Sequence, residues 1–230
     1  MASEPLVVVE RQGARADVVL NRPERKNSIT PELAVELRDA LVRLGNDQSV
    51  GAIVLRGNGG FFCSGIDLKA AGDGQKPSRI DAWPDVQAAI MSSHAPIVVA
   101  LEKYAINAGA ALVLGAHLTV MGETAFLQVG ERAIGVAAPA CQAWLALRHS
   151  AAVADRLTLM ADRVAAADCL RMNLVSETVP DAEVAARAVE IADAIAAHPE
   201  SGRRAVETVW ARLREPITDP VAWFRDKYGW

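Results

Sequence analysis

The sequence predicts an α/β fold organised on a parallel sheet, and three observations carry that prediction. Two short apolar runs, residues 16–20 and 50–55, flank a segment with helical spacing. Strand, helix, strand in that order joins parallel neighbours by a right-handed crossover. A third apolar run, residues 97–101, follows Pro96 and leads within a few residues into a second helical segment. The hydrophobic share of 51% over 230 residues supports a large core, in one domain or in one domain with an appendage.

Residues 6–10 and 16–20 read as two strands, with residues 11–15 (RQGAR) as the hairpin turn between them. Residues 21–28 are a polar loop. Thr30 is then a candidate N-cap and Pro31 fits the first helical position, with Leu33, Leu37, Ala40, Leu41 and Leu44 at helical spacing. Gly45, Asn46 and Asp47 end that helix, and residues 50–55 form the next strand. The following text, RGNGGFFCSGIDLK (residues 56–69), places glycines just past a strand end. Ligands of open α/β sheets bind outside the carboxyl ends of strands. The same glycines also suit a purely structural turn. Residues 70–78 read as a polar loop and residues 85–92 as a helix.

The chain is organised around PIVVALEKYAINAGAALVLG (residues 96–115). An apolar strand breaks at Glu102, Lys103 and Tyr104, and Asn107, Ala108, Gly109, Ala110 and Ala111 open a helix. A helix start leaves backbone N–H groups without intrahelical partners and carries partial positive charge. Side chains this small let another molecule reach those groups, which suits a developing negative oxygen. A small-residue helix packed tightly in a core accounts for the same composition.

Trp144, Leu145 and Leu147 mark a further helix, and residues 151–161 and 165–172 two more. Asp181, Ala182 and Glu183 are read as capping an alanine-rich helix that runs to Ala197, and residues 201–213 as the last clear helix. Trp223, Phe224, Tyr228 and Trp230 make an aromatic tail expected to dock on the body or on a neighbour. The expected division is a core over residues 1–195 and a shortened C-terminal helical region with its tail over residues 196–230.

Several function classes lack support. The formal charge of −4 makes no electrostatic case for nucleic acid. Cys63, Cys141 and Cys169 are scattered without metal-ligand spacing. Three cysteines, with no charged and apolar leader at the N-terminus, point to reduced thiols and a cytoplasmic protein. Apolar runs stay shorter than a membrane span; residues 105–121 come nearest but contain Asn107 and His117. His94, His117, His149 and His198 fall on separate elements, and no nucleophile elbow or phosphate loop is present. Cys63 reads as packing beside the glycine-rich loop.

In its order and local text the sequence resembles the crotonase, or enoyl-CoA hydratase/isomerase, superfamily. The matching pieces are LNRPERKNSIT (residues 20–30), VLRGNGGFFCSGIDLK (54–69), residues 96–115, and LMADRVAAADCLRMNLVSETVP (159–180), so that the resemblance covers roughly residues 6–200. It implies a spiral of repeated strand–strand–helix units finished by C-terminal helices. The chemistry it implies is an oxyanion hole, two backbone N–H groups holding a thioester carbonyl as it becomes an enolate. By position these are the N–H of Ile66, directly after Gly65, and that of Ala108, beside Gly109. The family has three glycines at the second site; here Asn107 and Ala108 replace two of them. A Cβ at Ala108 is expected to narrow the approach, or to strain the turn if φ there is positive.

The resemblance also locates the acids. Ala111 stands where family hydratases place one glutamate. For the second, counting from Phe126 reaches Gly130 and counting back from Gly135 reaches Glu131; a one-residue insertion before Glu131 reconciles the two. Glu131 is the expected acid, with a surface charge paired to Arg132 as the alternative. Lys26, Ser64, Gly65, Asp67, Leu68, Lys69 and Gly109 are the expected substrate contacts, Lys26 and Lys69 toward phosphate. The resemblance implies an acyl-CoA substrate, no cofactor beyond the coenzyme A it carries, no metal, and a homotrimer or hexamer. One acid favours shifting a double bond over adding water. The alternative is a family member that binds acyl-CoA, or acts as a scaffold, without chemistry.

Overall fold

The computed structural model describes residues 4–67, 80–202, 206 and 219–228, with the backbone alone at 223, 224, 227 and 228. The chain winds in successive turns. Each gives one long strand to a main sheet, one short segment to a second ladder, and then a helix. The first turn is the hairpin β1 (Val7–Gln12) and β2 (Arg15–Leu20), then Ile29, then α1 (Pro31–Asn46). The second is β3 (Ala52–Gly57), the bridging residues Cys63 and Ile66, and α2 (Trp83–Ser92). The third is β4 (Ile97–Leu101), β5 (Tyr104–Ile106) and α3 (Ala108–Gly115). The fourth is β6 (Leu118–Gly122), β7 (Phe126–Gln128) and α4 (Pro139–Arg148). Then follow α5 (Ala151–Met160), β8 (Arg163–Ala165), α6 (Ala166–Arg171), β9 (Glu177–Val179), α7 (Val184–Ala196) and α8 (Pro220–Tyr228).

The main sheet has the order β1-β2-β3-β4-β6-β9, antiparallel only at β1–β2. The second ladder pairs β5 parallel with β7 and β7 antiparallel with β8. Single bridges from Ile29 to Ile66 and from Cys63 to Ala105 carry it back to the first turn. Alternation along the long strands sorts their side chains to two faces. Ile53, Leu55, Ile97, Val99 and Leu101 enter the large core, and Ala52, Val54, Val98, Ala100 and Val120 meet Val184, Ala188 and Ala192 of α7. Both faces are covered, which is why these strands read as continuous apolar runs.

The helix starts follow local chemistry. The Thr30 hydroxyl accepts the Leu33 N–H at 3.2 Å, and Pro31 fills the first position of α1, as the sequence indicates. Residues 163–165 form a strand, β8, pinned to β7 through buried Val164, and the helix expected from residue 165 starts at Ala166. One expectation is corrected. Asp181 does not cap α7. Its carboxylate accepts the Thr124 N–H at 3.1 Å and the Thr124 hydroxyl, and α7 begins at Val184 without a side-chain cap.

Most of residues 201–213 lie outside the described residues, as do Trp230 and the side chains of Trp223, Phe224 and Tyr228. The α8 backbone rests against α2 and α4, and Arg225 reaches Asp85 at 3.3 Å. Among the described residues no helix is long and apolar enough to cross a membrane.

Candidate active site

The start of α3 and the loop around Gly65 lie side by side. The Cys63 carbonyl accepts the Ile106 N–H at 3.2 Å, and the Tyr104 carbonyl accepts the Cys63 N–H at 3.3 Å. Next to this ladder both glycines are sterically required. A Cβ on Gly65, at φ +92°, would stand 2.9 Å from the Ile106 oxygen; one on Gly109 would stand 2.7 Å from the Cys63 oxygen. On its other edge the Gly65 carbonyl accepts the Ile29 N–H (2.8 Å) and the Asp67 N–H donates to the Ile29 carbonyl (2.9 Å). A parallel bridge of this kind turns the N–H of the residue between, Ile66, away from Ile29. Ala108 is the first residue of α3, where no helical acceptor exists for its N–H. Neither N–H meets an acceptor among the described residues.

The strain expected at Ala108 falls one residue earlier. Asn107 has φ 54° and ψ −112°, whereas Ala108 is helical, with no positive φ. Asn107 is the N-cap by position, yet its side chain caps nothing. Its Oδ1 accepts the Gly130 N–H at 2.8 Å, its own N–H donates to the Gln128 carbonyl at 2.8 Å, and its carbonyl accepts the Ala111 N–H at 3.0 Å. Ala111 itself is fully buried.

Gly130 leads directly into a 3-10 turn, Glu131–Ile134, closed by Gly135 at φ 77°. Glu131 is partly exposed as a residue, but its Oε2 is enclosed and has no hydrogen-bond partner. Burial pushes its carboxyl up to about 7, opposed only by its own backbone N–H. Nearby Cys141 donates its thiol to the Asn107 carbonyl at 3.3 Å. Burial first, and the Glu131 charge second, hold that thiol well above its usual range. Arg132 turns its guanidinium to the Leu159 carbonyl at 2.8 Å, so the alternative of a Glu131–Arg132 surface pair is not formed among the described residues. One cluster therefore contains two backbone donors without a protein acceptor among the described residues, a buried carboxyl of raised pKa, and Asn107 between them. Such a cluster can hold an oxyanion and move a proton.

The profile of the enoyl-CoA hydratase/isomerase family matches residues 10–222. The chain belongs to that family. The enoyl-CoA hydratase EchA19 of Mycobacterium tuberculosis is 33% identical over 224 residues, 93% of this chain and 82% of that protein. An enoyl-CoA hydratase of Mycobacterium smegmatis superposes with a TM-score of 0.84 at 25% identity, covering 98% of this chain and 89% of the other. A monofunctional enoyl-CoA isomerase from M. smegmatis superposes with a TM-score of 0.77 at 27% identity, covering 91% and 94%. The spiral described above is thus the crotonase fold.

The remaining expected contacts of this enoyl-CoA hydratase/isomerase family member divide. Lys26, at φ 55°, receives the Ser64 N–H on its carbonyl at 3.2 Å and holds its ammonium 5.8 Å from the centre of the Phe61 ring. It stands beside the Ser64–Gly65 loop with its ammonium outside any ion pair among the described residues. Asp67 is otherwise engaged. Its buried carboxylate accepts Arg22 at 2.8 Å and Arg25 at 3.3 Å and lies 3.4 Å from the Ser28 hydroxyl. It ties down the loop carrying Lys26. Leu68 and Lys69 lie outside the described residues. A cavity of about 270 Å³ lies elsewhere, at the far end of α3, between Val113, His117, Arg148 and Asn173. There Arg148 donates to the Leu114, Gly115 and Ala116 carbonyls, closing the helix C-terminus away from the donors of Ile66 and Ala108.

Sequence reasoning missed the Asn107–Gly130 bond and the Arg22/Arg25–Asp67 ion pairs. For the first there was a signal, an asparagine where a glycine is expected. For the second the partners lie more than forty residues apart.

Proposed function

We propose that this chain is an acyl-CoA enzyme that moves a double bond, converting a 3-enoyl-CoA to its 2-enoyl isomer. The thioester carbonyl sits between the N–H groups of Ile66 and Ala108. Glu131, as carboxylate, removes a proton from carbon two. The electron pair delocalises through the carbonyl, whose oxygen gains the negative charge that the two donors stabilise. The same carboxyl then returns the proton to carbon four, and the double bond settles between carbons two and three. No atom is gained or lost, so one acid–base group suffices.

The observation that carries this reading is the enclosed carboxyl of Glu131, whose Oε2 has no hydrogen-bond partner among the described residues, together with a buried Ala111 where a second acid would stand. Hydration has a second requirement, because water must be activated and carbon protonated. The monofunctional isomerase neighbour supports the reading. Comparing isomerisation of a 3-enoyl-CoA with hydration of crotonyl-CoA tests it. Ala111 and the substituted glycines also support a second reading, an acyl-CoA binder without chemistry; tight acyl-CoA binding with no turnover of either substrate would favour it.

The proposal extends to assembly, as a homotrimer or a dimer of trimers in the cytoplasm. Ile134, Val136, Leu159 and Met160, each at least half exposed, supply apolar surface for such contacts. Light scattering at micromolar concentration should give a multiple of three chains, and a stable monomer would rule the assembly out.

A further inference from the structure

We propose that Asn107 is a positioning residue: its backbone aims the Ala108 N–H, and its side-chain carbonyl holds Gly130, and with it Glu131, in register with that donor. This rests on the function proposed above and names how the two halves of that site are kept together.

Asn107 sits at φ 54° and ψ −112°. A side chain makes this region unfavourable, and glycine is the default residue there. Something must compensate an asparagine, and the compensation is visible. Its N–H donates to Gln128, and Oδ1 accepts from Gly130, both at 2.8 Å. The facing group is a backbone N–H, so the side-chain atom must be the oxygen. Glycine would make the first bond but not the second. The side chain thus adds a link across the site at the cost of an unfavourable backbone.

Two geometric consequences follow. Rotation about ψ of Asn107 swings the plane of the peptide that carries the Ala108 N–H, so fixing ψ fixes the donor's aim. A donor of this kind works only within about 2.7–3.1 Å of the oxyanion. On the other side, Gly130 is the residue before Glu131 and the N-cap of its 3-10 turn. Holding its N–H sets where that turn begins. Asn107 also accepts the Cys141 thiol on its carbonyl, so α4, which carries Cys141, closes on the same residue. Donor, acid and supporting helix meet at one side chain and one strained peptide.

The test uses the full-length protein and the variants Asn107→Gly and Asn107→Ala. Glycine removes the link and relieves the strain; alanine removes the link and keeps the strain. Both should lose about 10–100-fold in kcat, the scale of a misplaced reacting group, with KM held within about threefold. Asn107→Gly should melt no lower than wild type, and Asn107→Ala should melt below it. Bound acetoacetyl-CoA supplies a spectroscopic signature, because an enolate held in the hole has its own ultraviolet band. That band should weaken in both variants at saturating ligand. Wild-type kcat and an unchanged band in Asn107→Gly would overturn the positioning role while leaving the proposed function intact. Absence of both turnover and the enolate band in the wild type would overturn the proposed function, and the positioning role with it.

Discussion

Gly65 and Ile106 approach so closely that a single methyl group on Gly65 would stand 2.9 Å from the Ile106 carbonyl oxygen. That contact fixes the spacing between the loop carrying Ile66 and the segment entering α3. Gly65 also has φ +92°, which an L side chain rarely adopts. Gly65→Ala should therefore both destabilise the fold, by about 1–3 kcal/mol, and push the two donors apart. Loss of one aligned donor is worth about 10²–10³-fold in kcat in a hydrolase of known mechanism. The expected outcome is a kcat loss of that order that persists well below the melting temperature, checked by steady-state kinetics beside a thermal melt.

Glu131 couples activity and stability to pH in opposite directions. As a base it must be ionised, so isomerase kcat/KM should rise through a midpoint near 7, where burial places its carboxyl. Its folded pKa lies above the ordinary 4.5, so the folded state binds the proton more tightly than the unfolded chain. The resulting stability is fully present below about 4.5 and is lost as pH rises through about 7. The whole displacement sets an upper bound of ~3 kcal/mol. Glu131→Gln carries no such titration. It should gain thermal stability relative to wild type between pH 5 and pH 8, lose isomerisation by about 10²–10⁴-fold, and keep acyl-CoA affinity within a few-fold. Thermal melts across pH, kinetics and calorimetry check the three parts separately.

Ala111→Glu tests the missing acid. Ala111 lies one turn into α3 and is fully buried, its N–H bonded to Asn107. A glutamate there carries a desolvation cost, so the melting temperature should fall, by about 1–3 kcal/mol of stability. If the new carboxyl faces the same water as Glu131, hydration of crotonyl-CoA should rise above the wild-type level. A stopped assay showing no rise in a folded variant would place Ala111 away from the reacting carbons.

How much of this was legible in the sequence depends on range. Thr30 and Pro31 announce the start of α1 because an N-cap acts over three residues. The strands around Ile53 and Val98 are legible because burial on both faces leaves continuous apolar runs. Gly65 and Gly109 stand out because both lie where two backbones meet. The three-residue strand at Arg163–Ala165 is not legible, since only Val164 is buried and its pairing with Leu127 is set by distant chain. Asp67 looked available because its partners, Arg22 and Arg25, come from another turn of the spiral. In the sequence Asn107 reads only as one of the residues that open a helix, and its backbone angles and the arrival of Gly130 show that its side chain bonds across to the next turn of the spiral. Counting points to Glu131, but the enclosure of its carboxyl belongs to tertiary packing that no spacing reveals.

The most direct test compares two initial rates of the wild-type enzyme under one set of conditions, isomerisation of a 3-enoyl-CoA and hydration of crotonyl-CoA. If Glu131 is the one acid of the proposed mechanism, with Ala111 in place of a second, kcat/KM for isomerisation should exceed that for hydration by about 10²-fold or more, the scale of one missing acid–base group. Hydration equal to or faster than isomerisation would contradict the account.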